Sequence, residues 1–162
     1  MVLKKITDLK TSGSTQLLKY LNFNSMNIDH ICFAVKNINE GIDYWKKVFG
    51  YTQMTKIVEN SVQRVKVTFL KKDNSILVKL IEPLESNQSI TNFVSRGGGF
   101  HHLCFKCTDI DQQFEELTEK GLIPLSKPQK GEAFNNNKIA FLLARYNLNV
   151  ELIDTDEKTG IL

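Results

Sequence analysis

The stretch His30-Ile31-Cys32-Phe33 returns 72 residues later in the sequence as His102-Leu103-Cys104-Phe105. The same offset relates Val78-Lys79-Leu80-Ile81 to Val150-Glu151-Leu152-Ile153. Two short apolar stretches can resemble each other by chance, but chance similarity would not keep one offset across about 50 residues. The repeat therefore indicates that the chain contains two copies of one structural unit.

Each copy has the pattern of a strand, a helix and three further strands. Residues 28–35 and 100–107 are short, apolar and rich in strand-forming residues. Asn37 and Asp109 follow them at positions where a side chain can cap the next helix. The three further strands are expected near 51–58, 62–71 and 75–82 in the first copy, and near 122–127, 137–144 and 148–154 in the second.

The sequence therefore predicts an α+β fold made of two βαβββ modules within one domain. The first module is expected at 27–83, a linker at 84–99 and the second module at 100–156. Residues 1–26 have no repeat partner, so we expect an N-terminal extension with one short helix near 15–21 and, at the other end, a tail at 157–162. Five apolar residues are expected to fill the space between sheet and helices: Ile31, Phe33, Val35, Phe69 and Phe141.

Bulk composition excludes several classes of function. The net charge of +3 is too small to indicate a nucleic-acid partner, and no basic block is interleaved with aromatic residues. No apolar run approaches the roughly 18 residues of a membrane span, and no signal-peptide pattern opens the sequence. Three cysteines without such a signal favour reduced thiols in a cytoplasmic protein. Cys104 and Cys107 have redox-pair spacing, but strand alternation puts them on opposite faces.

Alternation along the strands also selects the residues of a candidate site. Ile31 and its neighbours form the more apolar face, so His30 is expected on the opposite face of the same strand. His102 repeats that position, and Glu151 and Lys79 are equivalent positions on later strands. Two copies usually pair about a pseudo-twofold axis, so these side chains should converge. His101 has the opposite parity and is expected to point away.

Two imidazoles and one carboxylate suit a divalent ion such as Zn, Fe, Co, Ni or Mn. We therefore predict a metal site formed by His30, His102 and Glu151. Three protein ligands would leave coordination positions open for substrate or water, as catalysis requires.

Several segments resemble proteins of the vicinal oxygen chelate superfamily, which includes glyoxalases, extradiol dioxygenases and methylmalonyl-CoA epimerases. The epimerases are the most similar, over residues 28–154. The resemblance lies in Asp29-His30-Ile31, Tyr44-Trp45, Ile81-Glu82-Pro83-Leu84, Gly97-Gly98-Gly99-Phe100-His101-His102 and Val150-Glu151-Leu152.

This resemblance implies a glyoxalase-like fold, with a curved, barrel-like mixed sheet and helices outside. It also implies an isomerase or lyase whose metal, held by His30, His102 and Glu151, binds an acyl-CoA or carboxylate substrate and stabilises an enolate. Glu151 and Lys79 are the candidate catalytic residues. Arg64 and Lys66 are candidates for binding an anionic substrate, with a solvated strand face as the alternative. The resemblance also allows a homodimer.

Two positions depart from the epimerase pattern. Lys79 replaces a Gln or Glu ligand, so it could lose its proton, pair with Glu151 and displace the ion, or swing away. Val62 replaces the catalytic Glu of the epimerases, and the adjacent Gln63 is no base at neutral pH. These departures keep other functions open: a non-catalytic small-molecule binding protein, an Fe(II)-dependent dioxygenase, or a glyoxalase-type isomerase acting on a thiol adduct.

Overall fold

The computed structural model describes residues 26–162, so the helix predicted near 15–21 lies outside the described residues. The described residues form nine strands and three α-helices. In chain order the elements are β1 Asn27–Ala34, α1 Ile38–Phe49, β2 Thr52–Gln53, β3 Val58–Asn60, β4 Val65–Lys71, β5 Leu77–Pro83, α2 Gln88–Ser95, β6 Gly99–Lys106, α3 Ile110–Glu119, β7 Ile123–Lys130, β8 Lys138–Ala144 and β9 Leu148–Ile153.

All nine strands belong to one mixed sheet, in which the two repeats have mirrored strand orders. The order is β2-β4-β5-β1 followed by β6-β9-β8-β7, with β3 added beside β4. The halves join where β1 pairs antiparallel with β6, while the first strand of each half pairs parallel with its last strand. The sheet is curled and not closed, which confirms the predicted α+β fold of two βαβββ modules. The domain boundaries given above stay predictions.

The helices begin and end where the sequence indicated. The Asn37 side chain accepts hydrogen bonds from two backbone N–H groups at the start of α1, and the Asp109 side chain accepts one at the start of α3. Gly50 ends α1 in the left-handed conformation, with φ of 71°. None of the helices in residues 26–162 is long and apolar enough to cross a membrane.

Three local features differ from the prediction. The single strand expected at 51–58 is two short strands, β2 and β3, and the linker contains the helix α2. Phe69 and Phe141 lie on the concave face of the sheet, where their rings contact His30 and His102. Ile31, Phe33 and Val35 do pack against α1, as expected.

The C-terminal residues bridge the two ends of the curled sheet. The backbone N–H of Lys56, just after β2, donates to Gly160 O at 2.8 Å, and the N–H of Thr159 donates to Ala133 O at 3.0 Å. Next to this segment, Ser61 Oγ donates to the Glu132 carboxylate at 2.7 Å. The segment that the sequence indicated only as a tail therefore connects one half of the sheet to the other.

Candidate functional site

The equivalent residues of the two repeats converge at the β1–β6 seam. His30 lies opposite Cys104 and His102 lies opposite Cys32, so each strand presents both residues to the concave face. Parallel pairing of β5 and β9 with these strands brings Lys79 beside Cys32 and Glu151 beside Cys104. The fold thus assembles a compact cluster from four strands.

Glu151 is the centre of this cluster. Its Oε2 lies 2.9 Å from His30 Nε2 and 3.0 Å from His102 Nε2. Lys79 Nζ donates to both carboxylate oxygens, at 2.8 Å each. Glu151 and His30 are fully buried, and His102 and Lys79 are nearly so. The predicted convergence of these four side chains is therefore present.

The charges within the cluster are set by proximity. Burial alone would raise the pKa of Glu151, but the Lys79 ammonium and the His102 ring hold that pKa well below its usual value. Burial likewise opposes a charged Lys79, yet the adjacent carboxylate raises its pKa. Burial lowers the pKa of His102 to about 3, so its ring is neutral at pH 7. The centre is an ion pair flanked by neutral His102.

Aromatic rings surround the ammonium of Lys79. Its Nζ lies 5.0 Å from the centroid of Phe134 and 5.9 Å from that of Phe69. These two rings also meet each other edge to face, with centroids 5.6 Å apart. Ring faces attract cations, so they stabilise a buried ammonium while offering no oxygen or nitrogen ligand.

A bulge at equivalent positions in β1 and β6 gives each histidine a polar neighbour. The register shifts around Asp29 in one strand and around His101 in the other. An extra residue in a strand redirects its side chain. Asp29 Oδ1 thus contacts His30 Nδ1 at 2.6 Å, while His101 Nδ1 lies 2.8 Å from His102 Nδ1. Asp29 also pairs with the buried Lys158 ammonium at 3.3 Å.

The prediction for His101 was therefore wrong, because simple alternation does not hold through a bulge. His101 lies beside Lys79, His102 and Glu151 in the lining of one cavity. Burial, followed by the nearby Lys79 charge, lowers the pKa of His101. Its repeat position, which matches Asp29, was the signal that could have identified it.

The cavity has a volume of about 50 Å³, which is room for a few water molecules. Apart from the charged cluster, its walls are mainly aliphatic side chains from β4, β5, α2 and β8. Gln63 also lines it, and neither the amide nitrogen nor the amide oxygen of this side chain has a hydrogen-bond partner among the described residues. Sequence alternation gave no indication of this role for Gln63.

Arg64 and Lys66 lie elsewhere, which corrects their expected place in the cavity. Arg64 donates to the backbone oxygen of Ser86, and Lys66 donates to Glu82 at 2.8 Å. β4 begins after Arg64, whose φ is 54°, and the alternating Val65 and Val67 face the cavity instead. Val62 is 47% exposed and does not line the cavity.

The cysteines are all free and buried. Cys104 packs in the core next to the site, whereas Cys107 packs in the separate core beneath α3. The expected separation of this pair is therefore present. Burial raises the pKa of all three thiols, so they are protonated and unreactive in the folded chain.

The donor atoms of His30, His102 and Glu151 all lie within 4.8 Å of one another. Both rings have an Nδ1 partner, as second-shell contacts provide in metal sites. His30 Nε2 approaches Glu151 without hydrogen-bond geometry and has no such partner among residues 26–162. The three donors thus suit a divalent ion by type and proximity. Lys79 does not fit beside one, because its ammonium bonds both oxygens of the only carboxylate in this donor set.

Comparison with known sequences agrees with this architecture. Residues 29–141 match the Glyoxalase/Bleomycin resistance protein/Dioxygenase superfamily. The chain belongs to this superfamily. The match includes His30 and His102 and ends within β8, before the strand that carries Glu151.

Relatives of this superfamily member are similar over most of its length. Protein YqjC of Bacillus subtilis (strain 168) is 30% identical over 136 residues, which covers 82% of this chain and 93% of YqjC. The mitochondrial methylmalonyl-CoA epimerase of Dictyostelium discoideum is 25% identical over 133 residues, covering 81% of this chain and 78% of the epimerase. The crystal structure of protein BH1468 from Bacillus halodurans C-125 is 25% identical with a TM-score of 0.72, covering 85% and 99% of the two chains.

Proposed function

We propose that this superfamily member is an isomerase that moves a proton on the carbon next to a carbonyl, in the manner of an epimerase. Its substrate would be a small anionic acyl compound. Methylmalonyl-CoA is the first candidate, because one relative is named as a methylmalonyl-CoA epimerase. The observation that carries the proposal is that the buried ammonium of Lys79 and the ring of His101 line one small cavity.

Lys79 is the group that would stabilise negative charge on the substrate oxygen. Removing a proton next to a carbonyl sends charge onto that oxygen, and a fixed cation in a dry site lowers the barrier by several kcal/mol. The rings of Phe69 and Phe134, together with Glu151, keep the ammonium at a defined position, so little reorganisation would be required when the charge develops.

His101 is the group that would carry the proton. A neutral imidazole can accept a proton near pH 7, whereas Glu151 is occupied by Lys79 and His102. Its Nδ1 interacts with His102 Nδ1 at 2.8 Å, which leaves Nε2 for exchange with the substrate. This assignment replaces the carboxylate base that is missing at Val62.

Proton exchange tests the proposal directly. Purified protein in D₂O is incubated with methylmalonyl-CoA, and deuterium at the α-carbon is followed by NMR. We expect incorporation that falls about 10²–10⁴-fold in His101→Asn, where the shorter amide can keep the contact with His102 but cannot carry the proton. Absence of exchange by wild type across short acyl-CoA thioesters would overturn the proposal.

A non-catalytic binding protein is the second candidate, and one observation favours it. Lys79 and Glu151 already satisfy each other's charges, which suits a cavity that recognises an anion without transforming it. That protein would bind acyl-CoA thioesters saturably in calorimetry, and neither wild type nor His101→Asn would exchange deuterium.

A further inference from the structure

We propose that Lys79 is the resident cation of this centre, excludes a divalent ion, and is the single residue that separates the chain from a metal-binding protein. The geometry behind this is the ammonium at 2.8 Å from both oxygens of Glu151, within a cluster whose other two members are histidines. This assignment of the cation does not require the reaction proposed above, whereas the role given there to Lys79 depends on it.

Charge is the first reason. Glu151 supplies the only negative charge of the donor set, and Lys79 neutralises it. A divalent ion at the same place would face an ammonium within a few ångströms in a site with almost no solvent, where repulsion is poorly screened. It would also have to share a carboxylate whose two oxygens already accept from Lys79.

Space is the second reason. Lys79 is 4% exposed and its ammonium lies against the faces of Phe69 and Phe134. Those rings hold a cation in position and provide no alternative anion to which Lys79 could transfer if an ion displaced it. The Lys79 ammonium therefore stays on both oxygens of Glu151, the carboxylate that an ion would need from this donor set.

The remaining donors are arranged so that removal of the ammonium would leave a usable site. His30 Nε2 is buried without a hydrogen-bond partner among the described residues, and Nδ1 of the same ring contacts Asp29. A carboxylate at Nδ1 fixes the orientation of a ring whose Nε2 binds a metal, as second-shell contacts do in metal sites. In Lys79→Gln, an amide oxygen would be added to this set and the positive charge would be gone.

The test is cobalt binding, measured by visible absorption and calorimetry after dialysis against a chelator. Wild type is expected to bind no Co²⁺ at this centre. Lys79→Gln is expected to bind one equivalent at least about 100-fold more tightly than wild type, with a rise in its melting temperature on adding Co²⁺. Lys66→Gln, which removes a lysine paired outside the cavity, is the matched control and should behave as wild type.

Two further variants keep the test decisive. Lys79→Gln with Glu151→Gln should lose the gained Co²⁺ affinity, and Lys79→Met with Glu151→Gln reports whether the neutral cluster folds. If Lys79→Gln folds only in the presence of Co²⁺, that dependence supports the proposal. Stoichiometric Co²⁺ bound by wild type through His30 and His102 would overturn it, as would a folded Lys79→Gln that binds Co²⁺ no better than wild type.

Discussion

Lys158, which is followed by four residues in the sequence, places its ammonium 3.3 Å from the carboxylate of Asp29 at the beginning of β1. The same ammonium lies 5.0 Å from the centroid of Phe134, whose ring also contacts Lys79. Asp29 in turn holds His30. The C-terminal segment therefore supports the site through residues that do not line the cavity.

Replacing Lys158 with Met should destabilise the fold by about 2–4 kcal/mol, because it leaves the Asp29 carboxylate buried without its cation. Chemical unfolding measures the change. Lys106→Met is the control, since its pair with Asp156 is largely exposed and should contribute less than about 1 kcal/mol. Equal effects of the two variants would contradict a supporting role for the C-terminal segment.

The buried pair of Glu151 and Lys79 predicts a loss of stability in acid. The pKa of Glu151 is lowered by folding, so below its unfolded pKa of about 4.3 the unfolded chain holds a proton that the folded chain lacks. The contribution is thus fully present above about pH 4.3 and declines as pH falls toward the folded pKa.

The reference for this measurement is the double variant Lys79→Met with Glu151→Gln, which has neutral side chains of similar size. The unfolding free energy of wild type minus that of this variant should decrease as the pH falls from about 7 to about 3. A difference that is independent of pH, or that grows in acid, would contradict the ion pair.

Replacing Gln63 with an apolar residue is expected to stabilise the fold and to weaken function. Its amide is buried without hydrogen-bond partners among the described residues, so Gln63→Met should stabilise the fold by about 1 kcal/mol. If the amide contacts the ligand, the same variant should lose acyl-CoA binding or proton exchange. Gln112→Met, at an exposed position on α3, is the control and should change neither. Destabilisation by Gln63→Met would show that the amide is satisfied in solution.

Gly98, where the linker enters β6, is expected not to tolerate a side chain. A Cβ at this position would lie 2.5 Å from the backbone oxygen of Ala34. Gly98→Ala should therefore cost about 1–3 kcal/mol more than Gly50→Ala, since Gly50 has a similar left-handed φ and its added Cβ would lie 3.9 Å from Lys72 Nζ, an ordinary contact. Thermal and chemical unfolding of the two variants measure this difference, and equal costs would exclude the clash.

The sequence was sufficient for the repeat, the helix ends and the convergence of His30, His102 and Glu151. These follow from residue spacing, because equivalent positions of paired modules meet at their seam. It also offered three outcomes for Lys79, and pairing with Glu151 is the one present in the structure. Spacing alone could not choose among them, because the choice depends on the rings of Phe69, on β4, and Phe134, in the segment between β7 and β8.

Where the sequence failed, local backbone geometry overrode alternation. The turn before β4 sets Val65 and Val67 toward the cavity, so Arg64 and Lys66 lie outside it. The bulge at His101 brings two consecutive histidines to one side of β6. A period of two residues assumes an uninterrupted strand, and neither interruption has a distinct signature in residue type.

The paired bulges have a consequence for the symmetry of the molecule. Each half has one extra residue at the equivalent strand position, which is Asp29 in the first half and His101 in the second. Asp29 pairs with Lys158 of the C-terminal segment, whereas His101 lines the cavity. The two halves share one strand order but differ at this position, so a ligand in the cavity would contact the bulge of the second half and not that of the first.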